Sequence, residues 1–213
     1  MEAEHAQVLR ELLGSSEWVG RTAAFARALR RAPHRPGGLL LVGTPGAEPW
    51  HLTAHLAQAA RSAELPALVP TLVRHAVPAG APAHLAVDLT RLETAGRGQT
   101  ILVVAPGLPA EQLLSRLADA RRAGAALFGM DRGTGGPLAD LVGERLTVAG
   151  ADSGCAQALV PDGLLIPEDL DEAFAAAQHL VTAAAGDRAG SGRGWRDRLG
   201  RFLDVISGPA AKG

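Results

Sequence analysis

The apolar positions of the chain follow two different periods, one typical of helices and one typical of short buried strands. Apolar residues recur at helical spacing over residues 2–13 and 16–31, which predicts two N-terminal helices. Further amphipathic helices are predicted from residue 49 and over residues 109–123, 137–142 and 171–185. Short apolar runs alternate with these helices and predict strands over residues 38–43, 67–73, 100–105, 125–130 and 145–148.

Strands that alternate with helices across short glycine-containing loops indicate a parallel sheet covered by helices on both faces. The predicted fold class is α/β, a three-layer sandwich with a five-stranded parallel sheet of flavodoxin-like type, preceded by N-terminal helices. Pro70 interrupts the second predicted strand, so we expect that strand to be irregular or near an edge. The domain is predicted over residues 1–185, followed by a flexible linker over 186–194 and an amphipathic helix over 195–207.

The composition narrows the chemistry that the chain can perform. Its 213 residues carry a formal net charge of −1, so nucleic acid and anionic membranes are not expected as partners. Residues 1–10 lack the apolar run of a targeting segment, and no apolar run approaches the length that spans a bilayer, so we expect a cytoplasmic protein. Cys155 is the only cysteine, Lys212 is the only lysine, and tyrosine is absent. These counts exclude a disulfide scaffold and lysine or tyrosine chemistry within the fold, and leave histidines, carboxylates and hydroxyls.

The order of elements resembles the SIS (sugar isomerase) domain family over residues 1–185. The strongest stretch covers residues 100–148, where the sequence TILVVA is followed by APGLPA, a long helix, RAGAALFGM and GGPLADLVGERLTV. The stretch GLLIPED at residues 163–169 is similar to phosphoheptose-isomerase-like members of the family. This resemblance implies a five-stranded parallel sheet, phosphate-binding loops after the first and third strands, and a homodimer with its pocket between the subunits.

The resemblance also implies that a phosphosugar or a related carbohydrate derivative binds at these loops and at the following strand end. The candidate ligand-binding residues are Gly43, Thr44, Gly46, Pro106, Gly107 and Gly133. The loop at residues 105–110 lacks the hydroxyls with which family members bind phosphate, and its two prolines offer no N–H. Backbone amides at the start of the next helix could still hold an anion. We therefore expect binding with weak or no catalysis.

Two histidines, His51 and His55, are spaced so that both lie on one face of the helix after the first loop. Leu52 stands where a zinc protease of the H-E-x-x-H type needs glutamate, so that class is excluded. In phosphoheptose isomerases, zinc is held by two residues four apart on this helix and two residues eight apart on the last helix. The resemblance thus implies zinc ligands at His51, His55, Asp171 and His179. Alternatively, the two histidines line a cleft or a dimer interface and Asp171 caps the last helix.

Three functions remain open from the sequence. The first is an SIS-like domain that binds a carbohydrate derivative, and the second is a zinc-dependent sugar-phosphate isomerase of phosphoheptose-isomerase type with Glu48 among the candidate bases. The third is a regulatory or interaction protein with a vestigial pocket. Asp131 and Arg132 lie at the carboxyl end of a predicted strand, where α/β proteins bind ligands. His75 is predicted to be solvated in a proline-rich connection.

Overall fold

The structure, a computed structural model, describes residues 16–133, 136–148 and 170–186. The predicted helix over residues 2–13, the linker beyond residue 186 and the predicted helix over residues 195–207 lie outside the described residues. The described helices and strands are, in chain order, α1 (Ser16–Arg31), β1 (Leu39–Gly43), α2 (Trp50–Ser62), β2 (Pro70–Val73), β3 (Thr100–Ala105), α3 (Glu111–Arg122), β4 (Ala126–Asp131), α4 (Pro137–Leu141), β5 (Glu144–Thr147) and α5 (Leu170–Ala185).

The five strands form one parallel sheet in the order β2-β1-β3-β4-β5, which confirms the predicted α/β fold class. β2 is an edge strand, as its proline predicted. It begins at Pro70, and the three residues Pro66–Leu68 form a 3-10 turn instead of extending the strand. At the first residue of an edge strand, the N–H that proline lacks is not needed for pairing.

Alternate residues of the central strands contribute to two separate hydrophobic cores, one on each face of the sheet. Leu39, Leu41, Leu102 and Val104 pack with apolar residues of α1, α2 and α5. The intervening strand residues pack with α3 and α4 and include Leu40, Val42, Ile101 and Val103. Burial of every side chain in β1 and β3 explains why these strands read as continuous apolar runs. The three-layer arrangement is therefore as predicted.

The helix pair α2 and α5 frames the site described below. α5 packs against both α1 and α2. Its buried face includes Ala177, Ala184 and Ala185, whose small side chains allow a close approach. Among the helices of the described ranges, none combines the length and hydrophobicity needed to cross a membrane. The N-terminal half of α2 and residues 174–182 of α5 line one cavity at the carboxyl ends of the strands.

Candidate functional site

A cavity of about 480 Å³ opens at the carboxyl ends of the strands, between α2 and α5. This edge is where open parallel sheets bind ligands, and the volume suits a small molecule. The lining includes Val104 and Pro106 from the end of β3 and its loop. Its polar lining residues include Glu48, His51, His55, Arg132, Gln178, His179 and Thr182. The cavity therefore combines three imidazoles and a guanidinium with a carboxylate and an amide.

The histidines of α2 and α5 meet across the cavity. The ring centroids of His55 and His179 lie 4.9 Å apart with the rings inclined at 65°. His51 lies one turn earlier on α2, is exposed, and lines the same cavity. Asp171 belongs to α5, but its side chain lies outside the described part of the chain. Three of the four residues predicted to bind metal are thus brought to one cavity.

Glu48 forms hydrogen bonds with residues just beyond β2 and at the start of α2. Its carboxylate accepts hydrogen bonds from the Trp50 indole nitrogen at 3.1 Å, the Arg74 Nε at 3.2 Å and the His75 amide at 3.0 Å. Only 13% of the Glu48 side chain is exposed, so these bonds form largely out of solvent. With both oxygens accepting from these donors, Glu48 orients the residues around it.

His75 is half-buried, and the prediction that it is solvated is wrong. Its ring Nε2 lies 2.8 Å from the carbonyl oxygen of Gly43, and because a carbonyl only accepts, the ring nitrogen donates. The contact joins residues on β1 and just beyond β2, which are neighbouring strands. Sequence spacing gives no sign of it, because the two residues are 32 positions apart.

Asp131, the last residue of β4, and Arg132, directly after it, line different cavities. The buried Asp131 carboxylate accepts hydrogen bonds from Arg145 Nε at 2.5 Å, Arg145 Nη2 at 2.9 Å and the Gly133 amide at 2.8 Å. Arg132 lines the cavity, and its guanidinium carbon lies 5.8 Å from the ring centroid of Phe174. The sequence pattern placed Arg132 at the ligand-binding edge but did not select it. The alternation of side chains along a strand was the signal that could have done so.

The first predicted phosphate loop folds back on itself as a tight turn. The Ala47 amide donates to the Thr44 carbonyl at 3.0 Å, and Thr44 is buried. A Cβ atom on Gly43 would lie 2.1 Å from the Ala47 carbonyl oxygen, whereas a Cβ on Gly46 would meet nothing within 4 Å. Gly43 is therefore required by the close approach of the loop backbone.

This difference predicts unequal effects of two alanine substitutions in one loop. Gly43→Ala is expected to lower the free energy of unfolding by roughly 2–3 kcal/mol, because backbone must move to admit the new methyl group. Gly46→Ala is the matched control and should change it by less than about 0.5 kcal/mol. Urea unfolding followed by circular dichroism measures both. Equal stabilities for the two variants would contradict the tight turn.

The remaining predicted phosphate ligands, Pro106, Gly107 and Gly133, do not lie together in one cavity. Pro106 lines the histidine cavity. Gly107 lines a second, more apolar cavity of about 740 Å³ between α3 and α4. The Gly133 amide already donates to Asp131. Among the described residues, His51, His55, His179 and Arg132 thus line one cavity, and Gly107 does not line it.

Comparison with known proteins identifies the fold. No family model and no curated protein sequence matches the chain. Its fold matches the crystal structure of a candidate phosphosugar isomerase from Silicibacter pomeroyi, with a TM-score of 0.56, 17% identity, and coverage of 97% of this chain and 54% of that protein. A candidate sugar-binding protein from Salmonella typhimurium matches with a TM-score of 0.54 at 15% identity, over 96% of this chain and 54% of that protein.

A second Salmonella typhimurium protein, a candidate phosphosugar isomerase, matches with a TM-score of 0.52 at 14% identity, over 90% of this chain and 50% of that protein. This chain spans about half the length of the three solved structures, which are covered over 54%, 54% and 50% of their own lengths. The three comparisons agree on one architecture. This chain therefore shares the fold of these candidate phosphosugar isomerases and of the candidate sugar-binding protein.

Proposed function

We propose that the chain is an SIS-like domain that binds a phosphosugar or a related carbohydrate derivative in the cavity between α2 and α5, with weak or no catalysis. The observation that carries this proposal is the position of Arg132 in a cavity that three histidines also line. The shared fold with candidate phosphosugar isomerases and a candidate sugar-binding protein supports it. A homodimer belongs to the same proposal and follows from the resemblance, whereas the expected cytoplasmic location stays a prediction.

The polar residues of the cavity match the chemistry of a sugar phosphate. A phosphate group needs a cation and several donors, and a guanidinium offers parallel N–H groups that fit its oxygens. Arg132 supplies this group at one wall, and α2 begins at the same cavity with the positive end of its dipole. Imidazole and amide groups such as those of His51 and Gln178 can exchange hydrogen bonds with sugar hydroxyls.

Two features favour binding over catalysis. The loop after β3 reads Pro106-Gly107-Leu108-Pro109 and offers neither a hydroxyl nor a full set of amides to a reacting group. Glu48, the carboxylate described at the cavity, already accepts hydrogen bonds from three donors. Three of the about four acceptor positions of this carboxylate are thus occupied, which leaves it little capacity to act as a general base.

A thermal-shift screen tests the proposal. The panel pairs phosphorylated hexoses, heptoses and amino sugars with their unphosphorylated parents and with inorganic phosphate. A ligand at about 100 times its Kd should stabilise the domain by about 2.7 kcal/mol, which raises Tm by roughly 5–10 °C. If no phosphosugar raises Tm more than its parent sugar does, the binding proposal fails and a vestigial pocket is favoured.

The contact between His55 and His179 favours a second candidate, a zinc-dependent sugar-phosphate isomerase. Bound zinc would supply Lewis-acid polarisation of a carbonyl. The fit of the residues is incomplete, because within the described ranges no group of three or more histidine, cysteine, aspartate or glutamate side chains could hold a metal ion. The two facing imidazoles supply half of the four ligands of a structural zinc site.

Metal analysis separates the two candidates. We expect the protein purified without a histidine tag to contain less than about 0.1 zinc per chain by mass spectrometry, because too few described ligands converge. His55→Ala is the test variant, and His34→Ala, at an exposed residue outside the cavity, is its control. Stoichiometric zinc that is lost in His55→Ala and kept in His34→Ala would replace the binding proposal by the isomerase.

A further inference from the structure

We propose that Trp50 is a stacking platform for the sugar ring, so that the cavity selects cyclic phosphosugars over acyclic phosphate esters. The inference rests on the proposed function and names its substrate class. Trp50 is the first residue of α2 and lines the cavity. Its exposed fraction is 37%, and in the part of the chain that the structure describes only Leu108 joins it as an exposed large hydrophobic residue.

The orientation of the indole is fixed from two directions. The ring nitrogen donates to Glu48 at 3.1 Å, which anchors one edge. The guanidinium carbon of Arg74 lies 4.5 Å from the ring centroid, which covers one face. Arg74 is itself held by Glu48 at 3.2 Å, so the three side chains form one unit.

Arg74 covers only one face of Trp50, and the other face is the one on which a ligand would stack. Trp50 is among the residues that line the cavity, whereas Arg74 is not. Trp50 is held by Arg74 and Glu48 and does not belong to the nearby hydrophobic core. Its exposed apolar surface is therefore available to a ligand. Because the ring is already oriented, the Trp50 side chain loses little conformational entropy when a ligand stacks on it.

The apolar face of the Trp50 indole favours a ligand that contains a sugar ring. A pyranose presents a flat patch of C–H groups on one face, and the face of an indole carries the negative part of its quadrupole. Stacking buries both apolar surfaces while the sugar hydroxyls at the ring edge stay free for His51 and Gln178. An open-chain polyol phosphate has no such flat patch, so it gains only the polar contacts.

Isothermal titration calorimetry with two matched ligands tests the proposal. The ligands are a pyranose phosphosugar that raises Tm in the thermal-shift screen and the open-chain alditol phosphate of the same sugar. Trp50→Leu is expected to weaken binding of the cyclic ligand by about tenfold and to leave binding of the acyclic ligand within about twofold. Trp50→Phe keeps an aromatic face and should stay within about threefold for both ligands. Leu108→Ala, at the other exposed hydrophobic residue, is the control and should change neither affinity.

The outcomes separate this inference from the proposed function. If Trp50→Leu weakens both ligands equally, or weakens neither, the stacking role is overturned while phosphosugar binding stands. If the wild-type protein binds no phosphosugar of the thermal-shift screen, both proposals fail together. The melting temperature of each unliganded variant shows whether it folds. Should Trp50→Leu not fold, Trp50→Phe decides instead, and a loss of more than about threefold in its affinity for the cyclic ligand contradicts the proposal.

Discussion

Replacing Asp131 with alanine is expected to lower the free energy of unfolding by about 3 kcal/mol. The Asp131 side chain is 7% exposed and its carboxylate accepts two hydrogen bonds from Arg145. Removing one partner of a buried ion pair takes away the nearest opposite charge of the other, which is strongly destabilising. The Arg145 side chain keeps 30% of its surface exposed, so the loss should fall at the lower end of the range for buried pairs.

A surface ion pair on α3 supplies the control for this substitution. Asp119 and Arg122 are also bonded to each other, but both side chains are more than half exposed. Asp119→Ala should therefore change stability by less than about 0.5 kcal/mol, because exposed pairs are solvated in either state. Chemical unfolding of both variants makes the comparison. A loss of equal size in the two variants would contradict the buried role of Asp131.

Replacing Arg132 with glutamine is expected to weaken phosphosugar binding by roughly 10–100-fold. Arg132 follows directly after Asp131, whose bonds to Arg145 and to the Gly133 amide fix the end of β4 on both sides of it. A charge-assisted pair between a guanidinium and a phosphate is stronger than a neutral hydrogen bond. Glutamine keeps a donor of smaller reach without the charge, so most of this contribution should be lost.

Two further variants make the Arg132 result specific. Arg61→Gln removes the same charge from an exposed residue near the other end of α2, outside the cavity, and should leave affinity unchanged. Arg132→Lys keeps the charge but not the planar pair of donors, so its affinity should lie between wild type and Arg132→Gln. Titration calorimetry gives all three values. Equal affinities for wild type and Arg132→Gln would place the phosphate elsewhere.

The sheet could be predicted from the sequence because its strands are buried on both faces. Such strands are continuous apolar runs, and β3 was predicted at the bounds Thr100–Ala105 that the structure shows. Proline in β2 predicted an edge position, and the structure places that strand at the edge. The start of the same strand was predicted three residues early, because Pro66–Leu68 are apolar but form a 3-10 turn.

The site was predictable only in part. His55 of α2 and His179 of α5 lie close together, as a shared site would require, but metal binding by these residues stays a prediction. The network around Glu48 was not predictable, because it joins residues 26 and 27 positions apart through the pairing of β1 with β2. Gly43 was selected as a phosphate ligand, whereas the structure shows a packing reason for glycine there.

A crystal structure of the protein soaked with a phosphosugar that raises its Tm tests the central claim most directly. The proposal predicts phosphate density within hydrogen-bond distance of the Arg132 guanidinium, and sugar density between α2 and α5. Ordered ligand in the second cavity, between α3 and α4, with none against Arg132, would contradict it.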